Sequence, residues 1–220
     1  RFAPKDLLID NNSSINIDIM NFLSIDCSTE TGSLFIKIKN KTFSKVLQSY
    51  KSNNDLLMKQ IIDFLEEKNL NFGDISQIYV NQGPGNFSGL RVSLAIAKGI
   101  SLSKNLKLFG YNTFIWSCKK FFNTENTIFS IIKFKKKYYI KKFNKELKSI
   151  SQAYEITEDD LLKKYSKEFK VIPKSMCKSV NKKISGLYNL NIVDLNHNEL
   201  EFLQINGLLE EQLIKPLYLS

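Results

Sequence analysis

The residues with the most recognisable chemical spacing are three glycines that follow a short apolar strand. Gly83, Gly85 and Gly89 form G-x-G-x-x-x-G, which is one residue longer than the dinucleotide-binding fingerprint. A phosphate-binding P-loop has a lysine directly after its last glycine, but Gly89 is followed by Leu90. The motif therefore predicts a tight turn before a helix rather than either phosphate-binding loop.

Hydrolysis would need a nucleophile beside a base, and a metal site would need closely spaced ligands. The sequence shows neither pattern. Ser28, Ser88 and Cys27 are conceivable nucleophiles, but the only histidine, His197, lies in a polar stretch far along the chain. A hydrolase places an orienting base beside its nucleophile, so we interpret His197 as a solvated surface residue. One histidine excludes a histidine-rich metal site. Three cysteines at no metal-like spacing favour reduced thiols in a cytoplasm.

The glycine motif belongs to a strand, turn and helix that span residues 79–103. The Gly-Pro-Gly segment at 83–85 sets a tight corner, because glycine accepts positive φ and proline fixes φ near the value that turns use. Asn86 or Ser88 can cap the helix, since their side-chain oxygens accept hydrogen bonds from the first free amides. The predicted structural residues of this turn are Gly83, Pro84, Gly85 and Gly89.

The helix after the turn is unusually poor in charge. Between residues 90 and 102 the only charged side chains are Arg91 and Lys98, which lie seven positions apart on nearly the same side. A helix that is apolar on its other faces is buried, either in a core or against a partner. Ala95 and Gly99 lie four residues apart and would allow another backbone to approach closely. We therefore expect this helix to have a neighbour.

The same stretch carries a family resemblance. Gly-Pro-Gly-Asn-Phe-Ser-Gly-Leu-Arg at 83–91, followed by Ala-Lys-Gly at 97–99, closely resembles the Gly-Pro-Gly-Ser-Phe-Thr-Gly-Leu-Arg signature of the TsaB (YeaZ) family. The ending Lys-Pro-Leu-Tyr-Leu-Ser at 215–220 resembles that family's Pro-x-Tyr-Leu terminus. The resemblance covers residues 20–122 and returns at 215–220. It implies a subunit of the bacterial system that makes threonylcarbamoyladenosine next to the tRNA anticodon.

The resemblance also implies partners. TsaD-type catalytic subunits carry a His-x-x-x-His metal motif that this sequence lacks, so a non-catalytic subunit that dimerises with and activates a TsaD-type subunit is implied. A TsaE-type ATPase would join the assembly. ATP and metal would belong to the partners, with no cofactor in this chain alone, and tRNA would be met only as part of the complex. The isolated chain could form a homodimer through the same surface.

The implied interface lies on two helices. Carried over by position, these helices are residues 53–68 and 88–103, which in the family pack into a four-helix interface with the partner. The predicted interface residues are Leu57, Ile61, Leu65, Arg91, Val92, Ala95, Lys98 and Gly99. The alternative is that these faces bury against the chain's own sheet.

The resemblance places a degenerate nucleotide site after the first strand. In the wider superfamily this turn contacts nucleotide phosphate or its metal, and here Asp26, Ser28 and Thr29 occupy those positions. A complete site also needs a glycine-rich phosphate loop in the other half. Residues 127–220 contain only two glycines, Gly186 and Gly207. We therefore expect no functional nucleotide site in this chain alone.

Hydrophobic periodicity predicts the order β-β-β-α-β-α-β-α over residues 20–122. A second unit starts near Thr127 with two apolar runs around a basic hairpin turn at 135–137. The resemblance names the fold as two-lobed α/β, the ribonuclease-H-like fold of actin, sugar kinases and the Hsp70 ATPase, with a reduced second lobe. The predicted domains are an N-terminal extension at 1–19, a first domain at 20–122 and a smaller second domain at 123–220.

Three other functions stay open at this point. The chain could be an ATP-dependent kinase or hydrolase of the same superfamily that uses Asp26, or a glycoprotease-like peptidase. The net charge of +10 also allows a basic RNA-binding module at 133–142, where Lys133-Phe134-Lys135 replaces the family's Asp-Ala-Arg. No apolar run approaches the roughly 18 residues of a membrane span, so we expect a cytoplasmic protein with no membrane partner.

Overall fold

The computed structural model describes residues 20–29, 31–47, 54–177 and 180–219, so the predicted extension at 1–19 lies outside the described residues. The first lobe is built on a five-stranded sheet with the order β3-β2-β1-β4-β5. Its strands are β1 Phe22–Asp26, β2 Ser33–Ile38, β3 Lys41–Val46, β4 Gln77–Asn81 and β5 Lys107–Tyr111. The first three form an antiparallel meander, and β4 and β5 continue the sheet in parallel with β1.

Three helices complete the first lobe. They are α1 Asn54–Glu67, α2 Phe87–Lys104 and α3 Thr113–Cys118, and short 3-10 helices lie at Phe72–Asp74 before β4 and at Lys119–Phe121 after α3. The predicted order of elements is therefore confirmed. Asn86 caps α2, because its side-chain oxygen accepts a hydrogen bond from the backbone of Gly89 at 2.9 Å.

The second lobe has its own five-stranded sheet, in the order β10-β9-β6-β7-β8. Its strands are β6 Thr127–Phe134, β7 Lys137–Asn144, β8 Tyr154–Ile156, β9 Lys170–Pro173 and β10 Leu190–Val193. Its helices are α4 Glu158–Lys163, α5 Lys174–Cys177, α6 Lys182–Ser185 and α7 Glu199–Ile205. The predicted basic hairpin is confirmed, since β6 and β7 pair in antiparallel register up to Phe134 and Lys137.

The first sheet is covered on both faces, which is why β1 and β4 are buried along their whole length. On one face, side chains of the sheet pack against α1 and α2. On the other face, Phe22, Tyr79 and Phe109 pack into a cluster that also contains Ile128 and Val171 of the second lobe. The two lobes therefore share a hydrophobic core.

Strand β2 is covered on the side that carries Phe35. Phe35 is only 7% exposed. Its ring lies 5.7 Å from that of Phe22 and stacks on the His197 ring at 5.2 Å. The second lobe covers a face of β2 that the local sequence pattern could not show as covered.

A buried lysine, Lys170, binds the irregular stretch of backbone that follows α4. The side chain of Lys170 is fully buried, and its ammonium donates hydrogen bonds to the carbonyls of Tyr165, Ser166 and Glu168 at 2.7, 3.2 and 2.6 Å. The Tyr165 carbonyl also accepts from the Glu168 N–H at 3.2 Å, and the ammonium adds a charged donor to all three carbonyls of this irregular stretch.

We predict that Lys170→Met lowers the free energy of unfolding by about 2–4 kcal/mol, because three carbonyls lose a charged donor while the side-chain volume is kept. Urea denaturation of both proteins measures the difference. Lys167→Met, at an exposed position of the same segment, is the matched control and should change stability by less than about 0.5 kcal/mol. Equal effects of the two substitutions would contradict the assignment.

Candidate functional site

The glycine turn at 83–86 packs directly on the turn that follows β1. A Cβ atom on Gly85 would lie 2.0 Å from the carbonyl oxygen of Ser28, so a larger residue does not fit there. The backbone N–H of Asn86 donates a hydrogen bond to the same carbonyl at 2.7 Å. Gly83 has φ +101°, a conformation that favours glycine. The sequence-predicted turn residues therefore bring two distant segments into backbone contact.

A buried polar network lies behind this contact. The carboxylate of Asp26 accepts hydrogen bonds from the backbone N–H and the hydroxyl of Ser28, at 2.8 and 2.7 Å. The Asn81 amide donates to the hydroxyls of Ser28 and Thr113, each at 3.2 Å, and accepts from the Gly83 N–H at 2.8 Å. Asp26 thus fixes the conformation of its own turn.

A cleft of about 750 Å³ opens in front of the two turns. The first lobe contributes both turns and the start of α2, and the second lobe contributes the β6–β7 hairpin and α5. The described lining residues are Ser28, Thr29, Thr31, Pro84, Gly85, Asn86, Phe87, Ser88, Lys133, Phe134, Lys135, Ser175, Met176, Leu217, Tyr218 and Leu219. This lining includes two of the predicted nucleotide-site residues, Ser28 and Thr29, but not Asp26. Its charged members are lysines.

The C-terminal segment forms another wall of the cleft. The N–H of Leu217 donates to the carbonyl of Gln82 at 2.7 Å, and the Gln82 side chain donates to the carbonyl of Lys215 at 3.0 Å. The ring of Tyr218 stacks on Phe87 at a centroid distance of 5.2 Å. The segment at 215–219, whose sequence resembles the family's terminus, therefore packs beside the glycine turn.

Helix α2 presents a surface that the described residues leave uncovered. We define the outer face of α2 as Arg91, Ala95, Lys98, Gly99 and Leu102, all of them exposed. Leu102 is 84% exposed, and no described atom lies within 4 Å of the position that a Cβ atom on Gly99 would take. Val92, also predicted at the interface, is half-buried and packs against the core. Four of the predicted interface residues thus share one open face.

The three predicted interface residues on α1 are placed differently. Leu57, Ile61 and Leu65 are at most 2% exposed and belong to the core between α1, α2 and the first sheet. An apolar stripe on a helix looks the same in sequence whether it packs on its own sheet or on a partner. Their burial does not fit a partner-facing role, so the structure corrects this part of the prediction.

The interpretation of His197 as a solvated residue is wrong. Its ring nitrogens lie 2.9 Å from the hydroxyl oxygen of Ser24 on β1 and 3.2 Å from that of Ser33 on β2. The ring also packs between Phe35 and Trp116. Burial lowers the pKa of His197 to about 4, an effect partly opposed by the charge of Asp26. The polar residues around it in sequence gave no signal of this long-range contact.

The conceivable nucleophiles are not activated by this histidine. The hydrogen-bond partners of its ring are Ser24 and Ser33, which do not line the cleft. Cys27 is fully buried, and burial raises the pKa of its thiol well above the ordinary value. In the described part of the chain, no group of three or more His, Cys, Asp or Glu residues could hold a metal ion. Nor is any helix there long and apolar enough to cross a membrane.

Comparisons with known proteins find partial matches to proteins of tRNA threonylcarbamoyladenosine synthesis. The family model of TsaD, tRNA N6-adenosine threonylcarbamoyltransferase, matches residues 48–132. The tRNA threonylcarbamoyladenosine biosynthesis protein TsaB of Buchnera aphidicola subsp. Baizongia pistaciae is 33% identical over 89 residues, which is 40% of each chain. The same-named protein of Buchnera aphidicola subsp. Acyrthosiphon pisum is 26% identical over 149 residues, 66% of this chain and 67% of the relative. The first of these matches spans about two fifths of the relative's length.

Solved structures agree on the fold. YeaZ from Pseudomonas aeruginosa superposes with a TM-score of 0.65 at 15% identity, covering 91% of this chain and all of the other. A Pseudomonas aeruginosa protein described as similar to peptidase YEAZ gives a TM-score of 0.66 at 14% identity with the same coverage. The predicted two-lobed, ribonuclease-H-like α/β fold class is confirmed.

We predict that Gly85→Ala lowers the free energy of unfolding by about 3 kcal/mol, because the added methyl group meets the Ser28 carbonyl and the two turns must separate. Gly99→Ala is the matched control, since open space surrounds that position and alanine favours helix by about 0.5–1 kcal/mol. Chemical denaturation reports both values. A Gly85→Ala protein as stable as the wild type would mean that the turns are not in close contact.

We also predict that stability falls on acidification because of His197. The unfolded chain binds the proton near pH 6.5 and the folded chain only near pH 4, so the contribution is complete above pH 6.5 and is lost as the pH falls toward 4. The loss amounts to about 3 kcal/mol. His197→Gln should flatten the stability curve across this window, as measured by urea titrations at several pH values. Parallel curves for the two proteins would refute a buried neutral imidazole.

Proposed function

We propose that this chain, a member of the TsaB (YeaZ) family, is a non-catalytic subunit of the machinery that makes threonylcarbamoyladenosine on tRNA. It pairs with a TsaD-type catalytic subunit through the outer face of α2 and stabilises that subunit's productive form. The observation that carries the proposal is this open face on a helix whose other sides are buried. An exposed apolar patch on a folded protein commonly marks an interaction site.

The shape of the face suits a partner helix. Ala95 and Gly99 lie one turn apart, and the empty space above Gly99 would let a second helix approach more closely than larger side chains permit. Leu102 extends the face with an apolar side chain, and Arg91 and Lys98 place positive charge beside it. A partner surface with small apolar residues and a nearby acidic group would complement this arrangement. The same face can support a homodimer when the partner is absent.

The non-catalytic role rests on the chemistry of the described site. Asp26 is engaged by Ser28, and the single histidine is engaged by two structural serines. The groups that a superfamily kinase, hydrolase or peptidase would use are therefore occupied elsewhere. In this proposal ATP and metal act on the partner subunits, including a TsaE-type ATPase, and the complex works in the cytoplasm. The tRNA is the substrate of the assembled complex.

We predict that Gly99→Leu abolishes co-purification with the TsaD-type subunit of the same organism while the chain stays folded. Leucine fills the space that the partner helix needs, and its Cβ position meets no atom of residues 20–29, 31–47, 54–177 and 180–219. Affinity capture of the tagged chain, followed by size-exclusion chromatography, measures complex formation. Circular dichroism and thermal unfolding confirm the fold of the variant.

Gly186→Leu is the matched control for this experiment. It makes the same substitution at an exposed position of the second lobe, where a Cβ atom would have ordinary contact with the Lys182 carbonyl at 3.5 Å. The control should bind the partner as the wild type does. If the wild-type chain forms no complex, or if Gly99→Leu binds equally well, the proposed pairing through α2 is wrong.

A further inference from the structure

The cleft between the lobes has a composition that the pairing function does not explain. Its described lining contains two lysines, several hydroxyl groups and no acidic side chain. Lys133 and Lys135 come from the β6–β7 hairpin, and Ser28, Thr29 and Ser88 come from the opposite wall. Two lysines in a described lining without acidic side chains form an environment that favours phosphate oxygens.

Aromatic rings stand at the same cleft. Phe87 and Tyr218 line it, and each is 53% exposed although the two rings stack on one another. The guanidinium of Arg91 lies 5.1 Å from the centre of the Phe87 ring. Phe134, next to the two lysines, lines the facing wall. Exposed rings beside cations are the arrangement on which nucleic-acid bases stack.

We infer that this cleft binds a single-stranded segment of RNA. Phosphates of the strand lie against Lys133 and Lys135, and a base stacks on Tyr218. The inference rests on the proposed function in one respect: the RNA that meets the cleft in the cell is the tRNA on which the complex acts. The contact would hold that tRNA on the non-catalytic subunit while the partner carries out the chemistry.

RNA fits the cleft better than a free nucleoside triphosphate. A triphosphate is normally bound with Mg²⁺, and carboxylates hold that ion. Asp26 does not line the cleft and accepts two hydrogen bonds from Ser28 instead. Binding of a single strand requires only cationic side chains that contact the RNA phosphates and aromatic surfaces on which bases stack. The described lining supplies both.

The test uses the isolated full chain and a fluorescein-labelled RNA of about ten mixed-sequence nucleotides, a length within the site size of single-strand binders. Fluorescence anisotropy gives the affinity at several salt concentrations. Lys133→Gln and Lys135→Gln should each lower the slope of log affinity against log salt by about 0.7, because each removes one phosphate contact. Lys136→Gln is the matched control on the same hairpin, outside the cleft lining, and should keep the slope.

Stacking is tested separately. Tyr218→Ala should weaken RNA binding by about fivefold or more, the loss expected for one stacked base. Tyr188→Ala is its control, because Tyr188 is 79% exposed and lies outside the cleft lining. Equal effects of Lys135→Gln and Lys136→Gln, or of the two tyrosine substitutions, would overturn the inference. The inference would also be overturned if ATP displaced the RNA completely and the affinity for ATP depended on the same lysines.

The inference and the proposed function can fail independently. The Lys135→Gln chain should still co-purify with the TsaD-type subunit, since Lys135 lies outside the outer face of α2. A chain that pairs with the subunit but shows no cleft-dependent RNA binding overturns this inference alone. A chain that binds RNA through the cleft but forms no complex with the subunit supports the inference and overturns the proposed pairing.

Discussion

The structure depends on one backbone contact, in which Gly85 lies on the carbonyl of Ser28. The contact joins the turn after β1 to the turn before α2, two segments separated by most of the first lobe's sequence. It sets where α2 starts, and therefore which side of that helix faces outward. It also forms the floor of the cleft, because both turns line it. The outer face of α2 and the cleft thus both depend on a single packing constraint.

The second lobe is held in place by polar contacts with strands β1 and β2 of the first sheet and with α3. His197 bridges Ser24 and Ser33, the indole of Trp116 donates to the Asn196 carbonyl, and the Lys37 ammonium pairs with Glu201. Most of these bonds are neutral, and they surround a shared aromatic core. These half-buried polar contacts orient the second lobe at the margin of the shared core.

Local patterns in the sequence predicted much of this arrangement. Local residues predicted the turn, a helix cap at Asn86 or Ser88, of which Asn86 is the one observed, and the charge-poor helix, because these features are decided by neighbouring residues. Long-range packing could not be predicted from these local patterns. His197 contacts a serine 164 positions away, and the burial of Phe35 depends on the second lobe. The stripe on α1 was correctly predicted as apolar, but its periodicity could not distinguish its own sheet from a partner.

The central claim is that the outer face of α2 contacts the catalytic subunit. Hydrogen–deuterium exchange of this chain, with and without the TsaD-type subunit, tests it most directly, because exchange is read peptide by peptide along the chain. We predict slower exchange over residues 91–102 in the complex, with little change over the β6–β7 hairpin. A bound complex in which exchange over 91–102 is unchanged, with protection confined to other elements, would contradict the account.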